Sequence, residues 1–445
     1  GGLYLWIVLA LVFLALFLAV SRYGDLKLGA DDDEPEFSLS SWFAMLFSAG
    51  LGIGLVYWGV AEPLSHFISP PPDVIAFTPD AANTAMRYAF FHWGLHPWAI
   101  YGIVALCIAF FQFRRNSSAL ISSVTATLPW RWTRALSPLF NIMAIVATAF
   151  GVAASLGIGA AQINSGLHSV FGMPMGTAWQ VGIIIVVTLL FIGSAVTGVE
   201  RGVKLLSQAN LIAAALLALI IFIFGPTVAI LDTFSNTLGN YLSSFVRMSL
   251  RLTPFRDSGW IGDWTIFYWA WWISWSPFVG LFIARISKGR TIREFLLGVV
   301  IAPTLVGFAW FSIFGGTALN MEIFQNAGLT QAASQDPSLA LFAMLDQLPL
   351  AALTSVVATL LVIIFFITSG DSATLVLASM SQNGTPTPSN RNKIIWGVLV
   401  SGIALSLLLA GGLKAVQTAT ILFALPLSIV LVLLDLPPTS LTRLK

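Results

Sequence analysis

Mainly apolar stretches of eighteen or more residues recur along the whole 445-residue chain. Each is long enough to cross a hydrocarbon core of ~30 Å. Within lipid such a segment must satisfy its own backbone hydrogen bonds, which makes it helical. The rest of the composition agrees. Only 9% of residues are charged and mean hydropathy is +0.89, whereas a soluble domain carries roughly 25% charged residues. The expectation is an all-α polytopic membrane protein whose solvent is largely lipid. A net charge of +2 is too balanced to suggest a nucleic-acid partner. The single cysteine, Cys107, excludes an internal disulfide and leaves the redox compartment unread. The first apolar run, residues 3–20, lacks a basic leader and a small-residue cleavage site, so it reads as a membrane span.

Eleven spans are expected, over residues 3–20, 41–61, 85–112, 138–168, 177–198, 206–230, 260–284, 295–318, 350–381, 393–412 and 415–435. One alternating set of loops holds sixteen of the 21 lysines and arginines, which places that set in the cytoplasm and the N-terminus outside. Residues 231–259 read as an interfacial amphipathic helix, with Phe234, Leu238, Tyr241, Phe245 and Leu252 set against Arg247 and Arg251. The chain then divides into a leading span and loop (1–40), a five-span block (41–230), the interfacial helix, a second five-span block (260–436) and a short cytoplasmic tail (437–445). An odd number of spans per block forces the second into the opposite orientation, the pattern of an inverted-repeat transporter.

Three stretches could carry chemistry. In "YWAWWISWSPF", Tyr268, Trp271, Trp272 and Trp275 fall at i, i+3, i+4 and i+7, one helical face. Interfacial tryptophans sit at span ends, but these lie near mid-span, leaving helix packing or an aromatic box. A quaternary ammonium has no N–H to donate, so ring faces recognise it instead, at ~0.5–2 kcal/mol each when desolvated. The third span, "HWGLHPWAIY", offers Trp93, Trp98 and Tyr101 as partners, with Pro97 expected to kink the helix near Trp93. His92 and His96 have no acidic partner in that segment and read as hydrogen-bonded structural residues.

In "SAGLGIGLVYWGVAEP", Gly50, Gly52 and Gly54 alternate inside a span. Close helix packing is one reading. Each glycine also costs ~1 kcal/mol of helix propensity, which favours an unwound helix lining a cavity, with carbonyls free for Na⁺ and a half-helix N-terminus facing a carboxylate. In "FFITSGDSATLVL", Thr368 and Ser369 offer oxygen ligands for Na⁺, and Asp371 is an intramembrane acid and thus a candidate functional group. The competing reading has the hydroxyls bonding back to their own helix. The two readings stand level. No nucleophile–base pair or metal-ligand spacing suggests an enzyme.

Together with "DDDEPEF" and "ARISKGRTIREF", these motifs resemble the betaine/carnitine/choline transporter family over nearly the whole chain. The resemblance implies a sodium-symporter-like, LeuT-type fold with two inverted five-helix repeats, and commonly a homotrimer. It assigns Trp93, Trp98, Tyr101, Trp271, Trp272 and Trp275 to aromatic substrate boxes for trimethylammonium solutes. It implies one Na⁺ between Thr368, Ser369 and carbonyls near Ala49, Leu51 and Phe365. A second Na⁺ site would fall at Thr148, Val152 and Phe278, where Val152 lacks the hydroxyl of the family's threonine. Family members usually have twelve spans, so the resemblance implies that the first is missing, consistent with the Gly-Gly start. The short end "LPPTSLTRLK" does not match the long basic tail of osmotically activated members.

Proton-coupled choline carriers of the family tend to have an acid where this chain has Gly54. The resemblance thus favours Na⁺-coupled uptake of glycine betaine or a related compatible solute, across the cell's inner membrane. Its alternatives are sodium-independent exchange, proton-coupled uptake of choline, carnitine or dimethylsulfoniopropionate, and a membrane sensor of such ligands.

Overall fold

The structure, a computed structural model, describes residues 1–50, 52–128, 130–198, 200–256 and 259–434. The helices are α1 (Gly2–Val20), α2 (Leu39–Gly50), α3 (Ile53–Ile68), α4 (Pro79–Trp93), α5 (Leu95–Ala109), α6 (Ile121–Thr125), α7 (Arg131–Phe171), α8 (Thr177–Thr197), α9 (Glu200–Phe224) and α10 (Thr227–Ser249). They continue with α11 (Phe267–Arg285), α12 (Ile292–Gln325), α13 (Leu329–Gln335), α14 (Ala340–Leu345), α15 (Ala351–Ser381) and α16 (Asn390–Leu434). π-helical turns extend α5 over Phe110–Arg114 and precede α11 over Gly262–Ile266.

Among the described residues, ten helical segments are long and apolar enough to cross a membrane. The expected span at 41–61 is not one of them, because it is two short helices. Gly52 adopts extended backbone (φ −131°, ψ −174°) between α2 and α3, and helical bonding resumes with Leu55 N–H to the Gly52 carbonyl at 3.1 Å. The glycine-rich stretch is therefore a true interruption.

The span expected at 85–112 is also interrupted, and here the sequence reading needs correction. The break falls at Gly94 (φ −93°, ψ −131°), three residues before Pro97. Pro97 lies in the first turn of α5, where its missing N–H leaves no intrahelical bond unmade. Gly94 is confined from two sides, since a Cβ there would lie 2.5 Å from the Phe90 carbonyl oxygen and 2.8 Å from the Phe308 ring. The third break, in α16, comes at Gly411 and Gly412. Gly412 has φ +59° and ψ −143°, a conformation that L side chains rarely adopt.

The interfacial helix also shifts. It runs over Thr227–Ser249, starting and ending earlier than residues 231–259, so Leu252 lies outside it. Its apolar face is as expected: Tyr241 is fully buried, Phe234, Leu238 and Phe245 pack on the core, and Arg247 is exposed. Among the described residues, five of the ten apolar segments precede α10 and five follow it.

α11 lies at the centre, packed against α5, α7 and α16, while α7 packs on α3, α15 and α16. Phe267, Tyr268, Trp269, Ala270 and Ile273 have no exposed surface. At the side assigned to the cytoplasm, the acidic loop before α2 is tied to the loop after α11. Arg290, only 2% exposed, lies 4.1 Å over the Trp42 ring and donates to the Phe37 carbonyl at 2.8 Å. Lys288 pairs with Asp33 at 3.8 Å, and Trp42 donates to Ser287 Oγ at 3.0 Å.

Candidate functional site

The spacing of the α11 aromatics places their rings on one side, and the break at Gly94 turns α4 toward them. Trp93 meets Trp272 edge-to-face with centroids 4.8 Å apart and Trp271 at 6.1 Å; Trp271 and Trp272 stack at 4.9 Å. Tyr268 completes the group, 5.7 Å from Trp93 and 5.9 Å from Trp272. Indole N–H groups hold the rings in place: Trp271 donates to Ser155 Oγ at 3.2 Å and Trp272 to the His92 carbonyl at 2.9 Å.

Gly54 sits against this group. A Cβ at Gly54 would come 2.7 Å from Trp271 Cη2 and 3.0 Å from Trp93 Cη2. The residue is glycine because the cage edge occupies the side-chain position. The first turn of α3, whose N–H groups face the interruption, therefore abuts the aromatic rings directly. A cation-binding face beside a helix N-terminus suits a zwitterion with a quaternary ammonium at one end and a carboxylate at the other.

The remaining aromatics divide. Trp98 and Tyr101 contact each other at 5.6 Å, and Tyr101 reaches Trp272 at 6.1 Å, so both extend the cage along α5. Trp275 is displaced from it despite sharing the helical face. Its N–H donates to the Gly151 carbonyl at 3.0 Å, and its ring contacts Phe278 at 5.2 Å.

The Thr368 hydroxyl bonds back to its own helix. Thr368 donates back to the carbonyls of Ile364 at 2.9 Å and Phe365 at 3.3 Å. This uses its proton and leaves its oxygen lone pairs available to a cation. The segment lies near the glycine break, since a Cβ at Gly159 of α7 would touch both Phe366 and Ile53 Cδ1 at 2.6 and 3.1 Å. Ser369 is half-buried and Phe365 buried. Ala49 and Gly50 form the end of α2; Leu51 lies outside the described residues. Thr148 is fully buried, and its hydroxyl has no hydrogen-bond partner among the described residues, nor does that of Ser274. Val152 follows Thr148 by one turn of α7, and Phe278 packs beside Trp275.

Asp371 does not join these groups. It interacts with Ser194 of α8 and Lys393 at the start of α16.

The intramembrane acid at the cage is Glu62, which the sequence reading passes over because its second span ends at residue 61. α3 continues to Ile68 and carries Glu62 and His66 into the interior, both with no exposed surface. Glu62 Oε1 accepts from His92 Nδ1 at 2.6 Å and His66 Nε2 at 3.1 Å; Oε2 accepts from Tyr268 Oη at 2.6 Å and Trp93 Nε1 at 2.8 Å. His92 Nε2 meets Thr265 Oγ1 at 3.0 Å. His92 thus has an acidic partner on another helix. His96 is bound to Ser249 Oγ at 2.8 Å, as a structural histidine. Glu62, His66 and His92 have the side-chain types of a metal site. However, the Glu62–His92 separation is that of a hydrogen bond, and both nitrogens of His92 are engaged. An ion would have to displace that network.

Comparisons with known proteins agree with this geometry. The family model described as "BCCT, betaine/carnitine/choline family transporter" matches residues 1–437. The chain is 49% identical over 437 residues to the glycine betaine transporter OpuD of Bacillus subtilis, covering 98% of this chain and 85% of that protein. It is 43% identical over 435 residues to an ectoine/hydroxyectoine transporter of Virgibacillus pantothenticus, covering 98% and 87%. Among solved structures, a Na⁺-coupled sialic acid symporter in a substrate-bound outward-open state superposes with a TM-score of 0.56. At 14% identity over 97% of this chain and 86% of that one, this likeness concerns the fold. That fold is the sodium-symporter-like arrangement of two inverted five-helix repeats.

Proposed function

The chain belongs to the betaine/carnitine/choline family of transporters, and from that premise we propose that it takes up glycine betaine, or a close quaternary ammonium relative, together with Na⁺. The carrying observation is the aromatic group of Trp93, Tyr268, Trp271 and Trp272 in contact with the Gly54 position at the start of α3. In this reading the rings take the trimethylammonium and the N-terminus of α3 takes the carboxylate. Trp98 and Tyr101 line the route from the cage along α5, and Trp275 forms a second station beside Gly151.

Sodium coupling is supported by three things: the Thr368 lone pairs beside the interrupted helix, the buried Thr148 hydroxyl without a partner, and the Na⁺-coupled symporter that shares the fold. Na⁺ at Thr368, Ser369 and the carbonyls of Ala49, Leu51 and Phe365 would hold the break open for substrate. At the second position Thr148 and Phe278 remain, and Ser274, whose buried hydroxyl has no partner among the described residues, packs against Gly151 next to Val152. Inward movement of Na⁺ supplies ~2.3 kcal/mol per charge per 100 mV. Alternating access is the rocking of a bundle containing α2, α3 and α11 against the remaining helices. The protein works in the cell's inner membrane, among lipid, as a homotrimer.

The test is glycine betaine binding followed by tryptophan fluorescence, in Na⁺ and then in K⁺ at equal ionic strength. A saturable change confined to Na⁺ is expected. Equal changes in both would keep the cage and remove the coupling; no change in either would remove glycine betaine as substrate. The ectoine transporter among the relatives makes ectoine, a zwitterion whose ring carries a delocalised amidinium cation, the next ligand to try. Accumulation in sealed vesicles separates transport from sensing.

A further inference from the structure

We propose that Glu62 positions the aromatic cage and supplies the counter-charge for the ammonium group bound there. This rests on the quaternary ammonium reading above and adds a residue to it.

The hydrogen bonds surround the carboxylate with donors. Trp93 Nε1 can only donate, so Glu62 Oε2 accepts it. A neutral imidazole has one N–H. His92 directs an N–H to Glu62 Oε1, and its other nitrogen meets Thr265 Oγ1, a hydroxyl that can donate or accept. His66 directs Nε2–H to the same oxygen, while its Nδ1 has no partner among the described residues. A second proton on His66 would be a buried, unpaired N–H. The pattern is that of a carboxylate held by four donors, from His66, His92, Trp93 and Tyr268. Among the described residues, the recorded ion pairs of Glu62 are with His66 and His92, and no lysine or arginine neutralises it. A buried intramembrane charge without a cation marks a functional site. The arriving ammonium is the missing cation.

The same bonds set the cage geometry. Trp93 spans the two halves of the site, its N–H on Glu62 and its far edge, Cη2, against the Gly54 position. Tyr268 is held by its hydroxyl on Oε2. Trp272 is held at one remove, through the carbonyl of the His92 that Glu62 grips. Three of the four rings therefore depend on one carboxylate. An indole or phenol that donates to an anion also has a more electron-rich face, which strengthens its attraction for a cation.

The experiment compares two ligands on the full chain: glycine betaine and 3,3-dimethylbutanoate, in which a tert-butyl group replaces the trimethylammonium at equal shape. Glu62→Gln removes the charge and keeps the size. Glycine betaine affinity is expected to fall about tenfold or more, while that of the uncharged-head analogue changes less than about threefold. Glu62→Asp, which restores the charge, should recover part of the preference for the cation. Tyr268→Phe, a milder change that retains both ring and carboxylate, should weaken both ligands by a similar factor through loss of one tether. If Glu62→Gln weakens both ligands equally, its role is structural and the counter-charge is overturned. If Glu62→Gln does not fold, unchanged binding by Tyr268→Phe overturns the positioning role. If the wild-type chain binds neither ligand, the quaternary ammonium reading itself fails, and this inference with it.

Discussion

Trp272 donates its indole N–H to the main-chain carbonyl of His92 at 2.9 Å, tying the middle of α11 to the end of α4. Its neighbour Trp271, stacked on it, donates instead to Ser155 of α7. The pair is thus anchored to two helices and forms a rigid wall. Trp272→Ala should weaken glycine betaine binding about tenfold or more, given ~0.5–2 kcal/mol per ring face plus the loss of neighbouring contacts. Trp272→Phe should retain part of the affinity. Equal affinity of wild type and Trp272→Ala in equilibrium binding would exclude this wall from the site.

Gly54 makes a complementary prediction. A methyl at this position reaches within 2.7 Å of Trp271 Cη2, so one ring must shift. Gly54→Ala should fold, because alanine favours a helix, yet bind the substrate about tenfold more weakly, by an overpacking effect of ~1–3 kcal/mol. The pair of measurements is a thermal melt and a binding isotherm. A normal isotherm would mean that the ring contact is not part of the bound state.

The two ion positions can be separated by substitution. Thr368→Ala should raise the Na⁺ concentration for half-maximal binding by about tenfold, as expected for the loss of one of a few oxygen ligands. Thr148→Val replaces a buried, unpartnered hydroxyl with a methyl. If no ion binds there, this change is neutral or stabilising; if one does, the Na⁺ dependence becomes less steep. Sodium titrations of uptake in vesicles distinguish the outcomes.

Gly412 tests the break in α16. Its φ of +59° with ψ of −143° is open to glycine and strained for other residues. Gly412→Ala should destabilise the protein by about 1–3 kcal/mol, seen as a lower melting temperature in detergent. Gly402, in regular helix with open space around its Cα, is the control: Gly402→Ala should stabilise slightly.

At the side assigned to the exterior, Asp73 pairs with Arg251 just beyond α10. Partial burial opposes ionisation of Asp73, but the hydrogen bond and charge of Arg251 outweigh it and hold the carboxyl below its usual range. A depressed folded-state value means that the contribution to stability is present above the unfolded value of ~3.9 and is lost as pH falls through the folded one. The melting-temperature difference between wild type and Asp73→Asn should therefore persist at neutral pH and vanish in acid below that range. A difference that grows in acid would contradict the pairing.

Much of the site follows from local pattern. The i, i+3, i+4, i+7 spacing of the α11 aromatics puts Tyr268, Trp271 and Trp272 on one wall whatever surrounds them, because helical geometry is local. The alternating glycines mark the place where a helix cannot hold, and Gly52 is non-helical as expected. Gly94 and Pro97 show the limit of such reasoning. Proline is visible as a breaker, but its effect depends on its position within the helix, and here the break at Gly94 leaves Pro97 in the first turn of α5.

The amino-acid sequence by itself determined that this chain is a bundle of membrane-spanning helices, that one of them is broken at glycines, and that aromatic rings gather on one face of another. Those properties depend on hydrophobic length and short-range periodicity. Only the tertiary structure decided which acid lies beside the aromatic rings. Asp371 and Glu62 are both lone carboxylates in apolar surroundings, and a helix that is apolar all round carries no amphipathic stripe to show which side faces the site. The packing of α3 against α4 and α11 brings Glu62 to His92, Trp93 and Tyr268, residues 30 to 206 positions away in the chain, and turns Asp371 toward Ser194 and Lys393. A buried charge is placed by its partners, and those partners lie on other helices.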